Sequence, residues 1–154
     1  MIYRRLATPL HAVRTAVGCL YSLALCLAAI VSDNPIVLAA VGVAVALAAV
    51  GAHVAPRVAN AAKWSLVLAI PLAMLNPLFV RDGLTVLARL GELGPLGQVD
   101  ITLEGVAYGA VLGLRIVVLV AASSLFALTV DPDGLLRMFR RVSFRSALTA
   151  VLAG

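Results

Sequence analysis

The run Gly105–Val130, GVAYGAVLGLRIVVLVAASSLFALTV, constrains this chain most. It is about 25 mostly apolar residues, which at about 1.5 Å per residue cross a bilayer as one helix. A polar lead-in, Ile101-Thr102-Leu103-Glu104, precedes it, and one charge, Arg115, sits inside it. The run stops at Thr129-Val130-Asp131-Pro132-Asp133. Asp131 suits a cap, Pro132 the first position of a new helix, and Asp133 the positive end of its dipole. Beyond it Leu135, Met138, Phe139 and Val142 share one helical face, and Arg137, Arg140, Arg141 and Arg145 share the other. The residue before a proline is driven out of the helical region, so this basic element bends away from the long helix. It reads equally as an anchor on anionic lipid or as a docking surface for a cytoplasmic partner.

The rest of the chain repeats the apolar theme. Of 154 residues 63% are hydrophobic and 12% charged, with a mean hydropathy of +1.10. A soluble domain of this size has no use for so much apolar surface. The expected fold is therefore all-α, a polytopic membrane protein with about four transmembrane helices and a short amphipathic cytoplasmic helix. The spans fall near 16–32, 35–55, 62–80 and 104–130; residues 1–131 form the transmembrane domain and 132–154 the cytoplasmic segment. The first run has the basic lead and apolar stretch of a signal peptide, but the spans behind it favour a first membrane helix.

Ser32-Asp33-Asn34-Pro35 is a tight turn, and Lys63-Trp64 an interfacial anchor. Lysine and arginine gather in 1–15, 56–63 and 137–145 and are absent from 32–35; Arg81 and Arg89 dissent mildly. Both termini are then expected in the cytoplasm of a multi-pass cell-membrane protein. The net charge of +5 is on this reading a topology signal, with no nucleic-acid partner implied. Cys19 and Cys26, seven residues apart, cannot close a disulfide within one helix and read as small packing residues.

Candidate working residues are few. Gly105, Gly109 and Gly113 repeat every four residues and offer bare backbone to another helix. Arg115 lies about 16 Å along the helix from Glu104, a depth where a charge needs a partner. Pro71, mid-way along the third span, frees the Val67 carbonyl and kinks the helix, so Arg115 is expected to donate to carbonyls near residue 67. Arg115→Lys is expected to be poorly tolerated, because lysine lacks the planar fork. Leu84, Leu87 and Leu90 suggest a short interfacial helix, favoured over a re-entrant loop by the alternating charges. His11 and His53 lack ligand-spaced partners, and no nucleophile–base set, phosphate loop or metal cluster occurs in the sequence. No catalytic, cofactor-binding or metal-ligating residue is assigned, and the chain is not expected to be an enzyme.

Several fragments in order resemble a known family. They are Asn76-Pro77-Leu78-Phe79 with Arg81-Asp82-Gly83, Thr102-Leu103-Glu104-Gly105 with Tyr108-Gly109, and Leu114-Arg115. The most specific is Leu128-Thr129-Val130-Asp131-Pro132-Asp133-Gly134-Leu135-Leu136, running into Arg140-Arg141. Together they resemble the transmembrane T component of energy-coupling-factor transporters, the EcfT/CbiQ-like permeases, over about half the chain from Asn76 onward. The resemblance implies a non-catalytic scaffold in a bacterial or archaeal plasma membrane. It would join two cytoplasmic ATPase subunits, which bind the ATP, to a substrate-binding S component that selects a vitamin or a transition-metal ion. The family's coupling helices carry two Ala-Arg-X motifs. No such pair occurs here, since Ala88-Arg89 falls in the expected external segment, and the chain reads as cut off before those helices. A free-standing four-helix membrane protein, channel-like or structural, with a basic surface anchor is the alternative.

Overall fold

The computed structural model describes residues 15–79, 85–92 and 98–140. Helices α1 (Thr15–Val31), α2 (Pro35–Gly51) and α3 (Ala55–Phe79) lead to strands β1 (Val86–Glu92) and β2 (Gln98–Thr102). Helix α4 (Leu103–Thr129) and a short helix α5, residues 132–140, complete the order. The protein is thus predominantly helical. Ala55–Asn76 of α3 and the whole of α4 are long and apolar enough to cross a membrane; α1 and α2 are apolar but only 17 residues each.

The helix ends follow local chemistry. Asn34 caps α2, its Oδ1 accepting from the Ile36 amide at 2.9 Å, and Pro35 takes the first helical position. Thr102 caps α4, its hydroxyl accepting from Gly105 N at 3.2 Å. Between α2 and α3 the chain turns through His53, whose φ of 56° lies in the left-handed region. An L-residue with a Cβ pays roughly 1–2 kcal/mol there, so His53→Gly is expected to raise stability by about 1 kcal/mol. A higher melting temperature in detergent checks this.

Helix α4 is the centre: it packs most closely on α3 and also against α1 and α2, while α2 and α3 barely touch beyond their connecting turn. The dry core lies among α1, α2 and α4, with Ala29, Leu38, Val45, Ala49, Ala122 and Leu125 almost wholly buried. Where α2 and α3 diverge, an apolar groove of about 450 Å³ remains over α4, walled by small residues such as Gly42, Ala46, Ala59 and Ala62. The outside is as apolar as the inside: Leu20, Leu47, Val67, Leu68 and Met74 are all exposed. An apolar perimeter of this extent is suited to hydrocarbon, not to water. The hydroxyls buried inside it bond back to their own helices, Ser22 donating to Gly18 O, Ser65 to Ala62 O, Ser124 to Ala121 O and Thr129 to Leu125 O. Each is satisfied without a partner helix.

One expectation about the fold needs correction. The segment read as a short interfacial helix over 84–90 is instead β1, paired antiparallel with β2 through Val86↔Thr102, Ala88↔Ile101, Arg89↔Asp100 and Glu92↔Gln98, with two irregularities in register. Leucines three apart fit one helical turn, but so short a helix is marginal alone. A strand finds its partner just beyond Gly94-Pro95, at Val99 and Ile101, whose β-branched side chains favour extended backbone. Leu103 N, donating to Thr85 O, and Glu104, accepting from Thr85 N and Oγ1, pin the hairpin onto the start of α4. The helix that holds the expected third span is longer than that span: α3 begins at Ala55 and continues through both Pro71 and Pro77 to Phe79.

Candidate functional site

The glycine face of α4 meets α3. Gly105, Gly109 and Gly113 are all buried. A Cβ at Gly109 would overlap the carbonyl oxygen of Ala73, and one at Gly113 would stand 3.4 Å from Ala73 Cβ and 3.5 Å from Ala69 O. Close approach of backbone to backbone therefore joins these two helices at Gly109. Beside that contact the Asn76 side-chain nitrogen is buried with no hydrogen-bond partner.

Arg115 points elsewhere. Its Nη2 donates to Ser32 O at 2.8 Å and to Asp33 Oδ1 at 2.6 Å, both in the α1–α2 turn. The expected partner, a carbonyl near Val67 freed by Pro71, is not the one used. The reason is geometric. Arg115 is two residues past Gly113, so it faces away from α3 and toward the turn. The turn arrives at that level because α1 and α2 are short. Gly18 of α1 lies against Val130 at the far end of α4, and the residues of α1 from there to Val31 reach only about 21 Å. Asp33 thus meets α4 about 18 Å from Leu103, and the α3–α4 hairpin projects beyond the turn by that length. Asp33 remains 82% exposed and the Arg115 side chain 20%, with its Nε buried and unpartnered.

Asp33 is the residue the sequence reading passed over. Counting would have found it, since an apolar run of 17 residues leaves its turn beside the middle of a run of 27.

At the other end α4 breaks at Val130, which is extended, and α5 begins at once. Asp131 Oδ1 accepts from Asp133 N at 3.2 Å and its carbonyl from Leu135 N at 3.0 Å. Helix α5 turns under α1, bringing Gly134 against Thr15, and shows Arg137 and Arg140 outward. Arg137 lies 3.6 Å from Asp131 Oδ2. Arg141 and Arg145 lie outside the described residues. Among the described residues no group of three or more His, Cys, Asp and Glu side chains gathers to hold a metal ion.

The whole arrangement, from the first helix to the basic element, falls within one match: residues 7–153 fit the family described as cobalt transport protein, CbiQ. The chain belongs to the CbiQ family. No curated protein and no solved structure matches it. CbiQ membership reaches well beyond the fragments from Asn76 onward, and takes in α1 and α2, which by sequence resemble the family only in hydropathy. A CbiQ protein is a transport component, and its apolar helices mark this one as a membrane protein.

Proposed function

We propose that this chain is the membrane scaffold, or T component, of an ATP-driven energy-coupling-factor importer. The single observation that supports it is the CbiQ match over nearly the whole chain. In this reading two cytoplasmic ATPases bind and hydrolyse ATP, an S component binds a vitamin or a transition-metal ion such as cobalt, and this chain joins them. It performs no chemistry itself; its work is mechanical. A push on α5 enters α4 at the Val130–Asp131 break. It then passes to α3 through the Gly109 contact and to the α1–α2 turn through Arg115 and Asp33. The load path is continuous, because each link is a backbone contact or a charged hydrogen bond.

In the proposed topology α1 to α4 all span, with both ends cytoplasmic. Exposed Arg57 and the arginines of α5 gather at the end of the bundle where α1 begins and α4 ends. This is the positive-inside arrangement. A single cysteine at Val86 in a cysteine-free background is expected to react with an impermeant maleimide from outside. One at Arg140 should react only after permeabilisation, and the opposite pattern would reject the topology.

The functional test is uptake. Cells carrying the ATPases, the S component and this chain should accumulate labelled substrate. Omitting only this chain should abolish uptake while leaving substrate binding by the S component intact. Unchanged uptake without the chain would refute the scaffold role.

A further inference from the structure

We propose that the groove between α1, α4 and α5 holds the acyl chain of an anionic phospholipid, with the lipid phosphate on the arginines of α5. The proposal rests on the reading above that places α5 at the cytoplasmic membrane surface. The groove has a volume of about 310 Å³ and is open on one side. Cys19, Leu23 and Cys26 line it from α1, Phe126 from α4, and Leu135 and Met138 from α5. Positions 19, 23 and 26 are one face of α1 at helical spacing, so the groove is a continuous slot along that helix.

Its chemistry selects an acyl chain. The wall is almost wholly apolar, and its two hydroxyls are already spent: Ser22 donates to Gly18 O and Ser123 to Leu119 O. A polar ligand or a water would find too few partners there. The size is that of a small-molecule site, at the lower end of the usual range of about 300–1,000 Å³.

Its setting selects an anionic headgroup. Helix α5 places Leu135 and Met138 in the slot while Arg137 and Arg140 stay exposed beside it. Asp131, 3.6 Å away, partly neutralises Arg137, whereas Arg140 has no acidic partner among the described residues. A phosphate completes that pairing and an acyl tail fills the slot, so one molecule satisfies both features. Bound in this way, the lipid ties α5 to α1 and stiffens the joint below α4.

Cys19 and Cys26, the chain's two cysteines, are the reporters. The full chain is reconstituted in nanodiscs of phosphatidylcholine alone or mixed with phosphatidylglycerol. Retained lipid is counted by native mass spectrometry, and cysteine alkylation by a permeant maleimide is timed. Phosphatidylglycerol should be retained with roughly tenfold preference, and its presence should slow alkylation by a similar factor. R137Q/R140Q should remove both effects. Cys26→Trp, which fills the slot, should lose retained lipid even with the arginines in place. Equal retention and equal alkylation in the two bilayers would overturn the proposal, as would wild-type lipid retention by Cys26→Trp. If the chain supports no uptake but still shows these lipid effects, the scaffold reading fails and the lipid site stands.

Discussion

Gly109→Leu is expected to prevent assembly of the α3–α4 pair. Even a methyl group at this position would overlap the carbonyl oxygen of Ala73, a backbone atom that cannot rotate aside. Helix α3 would have to move bodily, and α4 is the helix on which everything else packs. Gly109→Ala should cost about 1–3 kcal/mol, the range for overpacking a close interface, and leucine should leave little folded protein. Gly113→Ala is the control. Its Cβ would make near-ordinary contacts at 3.4 and 3.5 Å, so its cost should stay below about 1 kcal/mol. Melting temperatures in detergent, with size-exclusion profiles after solubilisation, separate the three. Equal effects at the two glycines would mean that α3 is seated differently.

Breaking the pair between Arg115 and Asp33 should be the next largest effect. Arg115→Leu and Asp33→Leu each remove a short charged hydrogen bond, and the second leaves the guanidinium with only the Ser32 carbonyl. Each is expected to cost about 1–3 kcal/mol, below the figure for a fully buried pair because Asp33 is open to its surroundings. The double substitution should cost less than the sum, since it leaves no unpaired charge; a double-mutant cycle on melting temperatures measures the difference. Arg115→Lys is expected to be mild, within about 1 kcal/mol, contrary to the argument from the planar fork. Both bonds leave one nitrogen, Nη2, which a lysine ammonium can replace, and lysine also lacks the Nε that is buried here without a partner. A lysine variant as damaged as the leucine variant would show that the guanidinium plane matters after all.

These two sites divide what was legible in the chain from what was not. Period and composition sufficed for the long helices, because an apolar run of this length with so few charges has few other ways to satisfy its backbone in lipid. The cap at Asn34, the break at Asp131-Pro132 and the amphipathic start of α5 follow from contacts within a few residues, so they too were written locally. The ordered fragments from Asn76 to Arg141 pointed to the transporter family. The spacing of Gly105, Gly109 and Gly113 marked a packing face, but treats the three alike. Only the seating of α3 singles out Gly109, because that depends on how far α3 slides along α4. The sequence announced that Arg115 needed a partner and left its choice to the length of α1 and α2. Those helices end where they do because of the Asp33-Asn34-Pro35 turn, and they rise from the same base as α4, so a carboxylate 82 residues away in the chain arrives at the arginine. The β1–β2 pairing escaped for a more local reason. Leu84, Leu87 and Leu90 fit a helical turn when that segment is taken alone, and its antiparallel partner lies outside it, across Gly94-Pro95.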